Sequence, residues 1–234
     1  MNLKGAKILI TGGSSGIGKA MALMAIEKGA EVLITGRNED KLKKVASDLG
    51  ASYVHADVSN EKDIESTFNW IKNNWNNQLD VLINNAGIGY MGKVEDIQWS
   101  DFETMFHVNV FGAAMMSKHA VKLFRNLGKG NIVNVASTAG LKGFQTGTVY
   151  SASKFALRGM TQCWQAELRK DNIRVMLINP SEVTTAFAQE GRVERENVAN
   201  KLSPKEIAHA TITSLEMDDR GFVPELTIWA SNPF

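Results

Sequence analysis

The sequence predicts an α/β fold: one domain spanning residues 1–234, with a doubly wound parallel sheet of about seven strands and helices on both faces. Three observations carry that prediction. Short apolar runs alternate with longer stretches of helical periodicity along the chain. The strand segments are apolar throughout rather than alternating, as expected when helices cover both sheet faces. A glycine-rich turn joins the first strand to the first helix, the place where open parallel sheets bind anions.

The elements follow in order. Ala6 to Thr11 reads as the first strand, and Gly16 to Gly29 carries Ile17, Ala20, Met21, Met24 and Ala25 on one helix face. Glu31 to Thr35 is a strand, Glu39 to Leu49 a polar helix with a narrow apolar stripe, and Ala51 to Ala56 a strand. A helix from Asn60 to Trp75 has Ser59 as its expected cap. Val81 to Ile83 is the fourth strand, followed by a long helical region from about Asp101 to Asn126. Asn131 to Ala136 is the fifth strand, Tyr150 to Lys170 a helix and Ile173 to Ile178 the sixth strand. Ser203, Pro204 and Glu206 have the order of a helix start: cap, first-turn proline, and an acid three residues after the cap. Phe222 to Trp229 supplies the seventh strand. The irregular stretch 181–202 is expected to be a lid over substrate.

Composition narrows the function. Of 234 residues, 26 are Lys or Arg and 25 Asp or Glu, without a long basic run, which argues against nucleic-acid binding. No segment reaches the roughly 20 apolar residues of a membrane span, and the start lacks the pattern of a secretory signal, so a cytoplasmic location is expected. The single cysteine, Cys163, excludes an intrachain disulfide and is expected to be buried beside Trp164. His55, His107, His119 and His209 have no ligand spacing, so no metal is expected. Met21, Met24, Met115 and Met116 read as core filler.

The glycine-rich turn is Thr11-Gly12-Gly13-Ser14-Ser15-Gly16-Ile17-Gly18. Glycines let the backbone turn and approach a bulky anion, and the following helix start offers unpaired N–H groups and a positive dipole end. The spacing is GxxxGxG, without the Lys-Ser/Thr ending of a nucleotide triphosphatase loop, so the expected ligand is a dinucleotide. An enzyme selecting NAD would place Asp or Glu near the end of the second strand to hold the ribose 2′-hydroxyl. Here no acid occurs from Val32 to Asn38, Gly36 leaves room, and Arg37 supplies a planar cation suited to a 2′-phosphate. NADP(H) is therefore expected over NAD.

Tyr150 and Lys154 lie four residues apart, which puts phenol and ammonium on one helix face. A free phenol has a pKa near ~10, and a neighbouring ammonium should lower it, making an acid–base group. Ser137, at the end of the fifth strand, could polarise the same carbonyl oxygen. Tyr-x-x-x-Lys pairs also arise by chance on helix surfaces; this pair gains meaning from arriving with Ser137 and the glycine loop.

With these motifs, and with Asp57-Val58 after the third strand, Asn84-Asn85-Ala86-Gly87 after the fourth and Asn109 in His107-Val108-Asn109-Val110, the chain resembles the short-chain dehydrogenase/reductase family over essentially its whole length. The resemblance implies a Rossmann-type domain that transfers hydride between NADP(H) and a ketone or aldehyde, or runs the reverse. It implies cofactor contacts from Gly12, Ser14, Ser15, Gly16, Ile17, Gly18 and Arg37, with Asp57 and Val58 at the adenine and Asn85, Ala86 and Gly87 along the adenosine ribose. It further implies that Asn109 interrupts its helix and holds a water linked to Lys154, that Lys154 bonds the nicotinamide ribose, that Ser137 steadies substrate, and that Tyr150 moves the proton. Val183 and Thr185 would hold the carboxamide. The family pattern Pro-Gly after the sixth strand is Pro180-Ser181 here, so the path of that loop is the point of departure.

The substrate pocket is expected to be formed by Ala139 to Thr148, Gly89 to Lys93 and Thr184 to about Val198, with Leu141, Phe144, Gln145, Phe187 and Tyr90 facing substrate, a mix suited to a medium-sized ketone. Two alternatives stay open. One is 3-oxoacyl-acyl-carrier-protein reduction, which needs basic residues at the site mouth for the acidic carrier; Lys129 and Lys142 are the candidates but form no evident cluster. The other is a sensor that holds NADP without turnover. The resemblance also implies a homodimer or homotetramer through the helices bearing Asn109 and Tyr150, where Ala113, Ala120, Phe124, Ala156 and Trp164 are the candidate contacts.

Overall fold

The computed structural model describes residues 1–187 and 198–232. Seven parallel strands form one sheet in the order β3-β2-β1-β4-β5-β6-β7. They are β1 (Lys7–Thr11), β2 (Glu31–Gly36), β3 (Ser52–His55), β4 (Val81–Asn84), β5 (Gly130–Val135), β6 (Ile173–Pro180) and β7 (Glu225–Ile228). The helices are α1 (Gly16–Glu27), α2 (Glu39–Leu49), α3 (Glu61–Trp75), α4 (Trp99–Phe106), α5 (Ala113–Leu127), α6 (Thr148–Leu168) and α7 (Pro204–Leu215). Ile8 in β1 lies beside both Val32 of β2 and Val81 of β4. The strand order therefore reverses at β1, which opens a crevice between β1 and β4 at their carboxyl ends.

Successive side chains of a strand point to opposite faces. Ile8 and Ile10 enter a core with Met21, Ala25, Ile207 and Ile212 from α1 and α7, whereas Leu9 enters a second core with Ile71, Ala120 and Phe124 from α3 and α5. Both faces are apolar because both are buried, which is why the strands read as unbroken apolar runs. Met21 and Met116 are fully packed inside these cores. Across the second layer a polar strut runs from Ser117 through Asn84 and Asn134 to Thr161, with Asn84 Nδ2 donating to Ser117 Oγ at 3.0 Å and to Asn134 Oδ1 at 2.9 Å, and Asn134 Nδ2 donating to Thr161 Oγ1 at 2.8 Å. It locks α5 and α6 to the centre of the sheet.

Several local expectations change. Asn60, not Ser59, caps α3 by accepting from Lys62 N at 2.9 Å; Ser59 instead donates to the Asp57 carboxylate. Both residues can cap, and the nearby carboxylate takes the serine. The helical region after β4 is interrupted around Asn109, as the resemblance implies: a π-helical turn over His107–Gly112 separates α4 from α5. Cys163 is exposed on α6 rather than buried, because the inward face there is carried by Leu157, Thr161 and Leu168. At α7 the anticipated capping box is present, with Glu206 accepting from Ser203 N at 2.7 Å. In the stretch 181–202, Val183 pairs in parallel with Leu202, and Thr184 donates through its N–H to Leu202 O at 2.9 Å; the part of the expected lid at 188–197 lies outside the described residues. No helix among the described residues is long and apolar enough to cross a membrane.

Candidate active site

A cleft of about 1250 Å³ lies over the carboxyl ends of the strands. Its floor at one end is the turn between β1 and α1. Gly12 turns with φ +66°, in the left-handed region that favours glycine. Gly18 is required by close approach: a Cβ there would sit 2.4 Å from Gly12 O and 2.5 Å from Asn85 Nδ2. Asn85 fastens the turn by donating from Nδ2 to Thr11 O at 2.9 Å and to Gly12 O at 3.1 Å. Thr11, which the sequence reading left without a role, completes the joint. Its buried hydroxyl accepts from Asn85 N and Ala86 N, each at 3.0 Å.

The start of α1 is left open. Ser15 occupies the cap position but its side chain caps nothing, and the first turn holds no acid. Ser14, Ser15, Gly16 and Ile17 line the cleft there, so unpaired N–H groups face its interior. By contrast, α2 is closed by Asn38 accepting from Lys41 N. The uncapped end suits an anion such as a pyrophosphate. Thr185 lies over this turn, its methyl 3.2 Å from where a Gly16 Cβ would be. Ser181 causes no strain: it is absent from the residues with positive φ, and its N–H donates to Ile228 O at 2.9 Å. Serine therefore serves where the family pattern has glycine.

Arg37 follows β2 at the far end of the cleft with its side chain more than half exposed, 3.9 Å from Asp57 Oδ2. Asp57 Oδ1 is already engaged by the N–H and hydroxyl of Ser59, which leaves Oδ2 for another donor. Val58, Asn85, Ala86 and Gly87 line the wall between these ends.

At the other end stand Ser137, Tyr150 and Lys154. Ser137 follows β5 and its hydroxyl accepts from Ala139 N at 3.1 Å. Tyr150 is on the first turn of α6, and Lys154 one turn later donates from Nζ to Val135 O at 3.0 Å. The lysine nitrogen is 5.7 Å from the phenol ring centre. Asn109 sits in the π-turn, a wider turn often found at functional sites. Its side chain accepts from Ile88 N at 2.9 Å and donates to Ile88 O and to Ser153 Oγ, both at 3.0 Å. Ser153, a further residue missed by sequence reasoning, donates in turn to Tyr150 O at 2.7 Å and is fully buried. Its signal was its position on the same helix turn as Tyr150 and Lys154.

The electrostatics differ from the expected acidified phenol. Burial pushes the Tyr150 pKa up to about 12, with the Ser137 hydroxyl bond pulling it down. Burial also lowers Lys154 to about 8. The i, i+4 spacing brings the two groups onto one face, but the ammonium turns to a backbone carbonyl, so desolvation governs the phenol. In the protein alone Tyr150 is a neutral O–H donor.

The expected substrate residues divide. Phe144 and Phe187 line the cleft, and the Phe187 ring lies 5.7 Å from that of Tyr150. Leu141, Gln145 and Tyr90 do not line it. Met91 and Lys142, from two of the segments expected to form the pocket, also line it, as does Trp229, which was not anticipated. Lys142 and Lys129 are not together: Lys129 immediately precedes β5, at the amino ends of the strands and so opposite the cleft. Of the residues expected to join subunits, Ala113, Ala120 and Phe124 are buried within the chain, whereas Phe111 and Phe155 on the same two helical segments are exposed.

Comparison with known proteins agrees with this geometry. Residues 6–196 match the family described as short chain dehydrogenase. An uncharacterised oxidoreductase of Staphylococcus aureus (strain MRSA252) is 33% identical over 224 residues, covering 94% of this chain and 95% of that protein. An alcohol dehydrogenase from the archaeon Thermococcus sibiricus, complexed with 5-hydroxy-NADP, superposes with a TM-score of 0.89 at 27% identity and 97% coverage of both chains. A 3-ketoacyl-(acyl-carrier-protein) reductase from Brucella melitensis, complexed with NADH, gives 0.89 at 27% identity, covering 99% of this chain and 100% of its own. This chain is thus an oxidoreductase that belongs to the short-chain dehydrogenase family.

Proposed function

We propose that the protein is an NADP(H)-dependent carbonyl reductase that converts a ketone or aldehyde to an alcohol. The observation that carries this reading is convergence: one cleft joins the uncapped start of α1 and Arg37 at one end to Ser137, Tyr150 and Lys154 at the other. The cofactors in the two similar structures support a nicotinamide dinucleotide here. The absence of an acid from Val32 to Asn38, together with Gly36 and Arg37, favours the 2′-phosphate form.

A bound nicotinamide would supply the hydride. The chain's own contribution is to orient the carbonyl and deliver the proton. Ser137 donates a hydrogen bond to the carbonyl oxygen, and Tyr150, neutral because it is buried, gives its phenolic proton to that oxygen as the carbon is reduced. The phenolate left behind is stabilised by the Lys154 ammonium on the next turn. Asn109 and Ser153 hold this turn of α6 against the segment after β4. The carrier-protein reading is less well supported, since Lys129 and Lys142 do not form one basic face.

The test is NADPH and NADH oxidation over a panel of ketones and aldehydes, beside the Arg37→Ala variant. We expect turnover with NADPH preferred, and Arg37→Ala weakening NADP binding at least tenfold while leaving NAD binding little changed, as loss of a charge-assisted bond worth roughly 1.5–3 kcal/mol implies. Cofactor binding without turnover of any carbonyl would favour a sensor. Unaltered NADP affinity in Arg37→Ala would end the assignment of cofactor preference.

A further inference from the structure

Four successive strands each end in a segment that sends one large apolar side chain into the same cleft. Met91 comes from the segment after β4, Phe144 from that after β5, Phe187 from that after β6, and Trp229 directly follows β7. Three of them are conspicuously exposed for apolar residues: Met91 is 43%, Phe144 48% and Trp229 66% accessible.

Their positions are fixed by the backbone. Gly92 N donates to Thr146 O at 2.9 Å, which ties the Met91 segment to the Phe144 segment. The Phe144 ring lies against Gly147, where a Cβ would come within 2.5 Å of it, and Gly147 caps the helix that carries Tyr150. Ser181 N donates to Ile228 O at 2.9 Å, which sets Trp229 beside the segment leading to Phe187. Phe187 in turn contacts the Tyr150 ring. A wall of this kind, continuous with a proton donor, is the signature of a ligand site rather than of scattered surface residues.

We propose that the substrate is a carbonyl compound bearing an aryl or similarly bulky apolar body, with Trp229 as the residue that selects it. This rests on the reading of the protein as a carbonyl reductase and narrows its substrate class. The apolar body lies along Met91, Phe144 and Trp229, and its carbonyl reaches past Phe187 to Tyr150 and Ser137. Burying a phenyl group on such a wall favours it over a methyl by roughly a hundredfold.

The matched pair 4-phenyl-2-butanone and 2-butanone tests this, since they share a methyl ketone and differ by the phenyl group. With NADPH, kcat/KM should be about a hundredfold higher for the phenyl compound, and Trp229→Ala should cut that ratio at least tenfold, mainly through KM. Trp229→Phe should restore most of it. Calorimetric binding of 4-phenyl-2-butanone to wild type and Trp229→Ala gives a reading independent of turnover. If neither ketone nor any other carbonyl is reduced, the carbonyl-reductase reading fails, yet tighter binding to wild type would still place an apolar ligand on this wall. A ratio near one, a ratio unchanged in Trp229→Ala, or equal binding to both proteins overturns the proposal. A change of oligomeric mass in Trp229→Ala with selectivity intact also overturns it, by assigning the tryptophan to a subunit contact.

Discussion

Replacing Lys154 by Met should stabilise the protein around neutral pH while removing its activity. Lys154 is 4% exposed and carries its charge in a site that lowers its pKa from 10.5 to about 8. At about 1.4 kcal/mol per unit, a charge held in that site costs the folded state about 3 kcal/mol. Methionine fills much the same volume without the charge but forfeits the bond to Val135 O, which contributes about 1 kcal/mol. The variant should therefore be more stable by about 2 kcal/mol near pH ~7. The pH dependence separates this from ordinary packing. The folded pKa is depressed, so the penalty is full below about 8 and disappears as pH rises to 10.5. Wild-type stability should climb through that window, and the variant should not share the climb, so the two should nearly coincide near pH ~10. Tyr150 does not blur the comparison. Its raised pKa gives stability that is present below 10 and lost as pH rises through about 12, in both proteins alike. Urea unfolding of the cofactor-free proteins at the two pH values, followed by tryptophan fluorescence, measures all of this. Parallel pH profiles, or a variant less stable than wild type near neutrality, would refute the claim that desolvation dominates this lysine.

Gly18→Ala would place a methyl 2.4 Å from the Gly12 carbonyl, a backbone atom held by Asn85. A stability loss of about 1–3 kcal/mol is expected, as for overpacking, with dinucleotide affinity reduced at least tenfold in a fluorescence titration; full affinity would mean that the turn does not grip the ligand. Ser153→Ala removes the hydroxyl that joins Asn109 to Tyr150 O. It should lower stability by about 1–2 kcal/mol and reduce kcat more than KM, with Ser153→Thr partly restoring kcat. Equal changes in kcat and KM for both variants would limit Ser153 to a packing role.

Much of the fold was legible because its causes are local. Ile8, Leu9 and Ile10 serve two cores from one strand, and a continuous apolar run is the direct trace of that. The capping box at Ser203 and Glu206 was legible for the same reason. The interruption at Asn109 came from the family resemblance alone; the apolar pattern did not show it, because one widened turn barely disturbs a period of 3.6. The turn around Gly12 and the set Ser137, Tyr150 and Lys154 were found by spacing, and they share one cleft. What spacing could not reveal was direction. Lys154 lies a turn from Tyr150, yet its ammonium bonds Val135 O and leaves the phenol to the effect of burial. Direction also separates Phe144, which lines the cleft, from Leu141 and Gln145 on the same loop, which do not. Trp229 escaped notice because it lies 79 residues beyond Tyr150, but the end of a parallel strand is where ligands are met.

The most direct measurement compares wild type with Tyr150→Phe in two assays on one preparation: NADPH binding, and NADPH oxidation with a ketone that wild type reduces. A proton donated by Tyr150 requires binding to persist and kcat to fall by at least a hundredfold, as loss of a general acid implies. A phenylalanine variant that turns over at the wild-type rate would contradict the account.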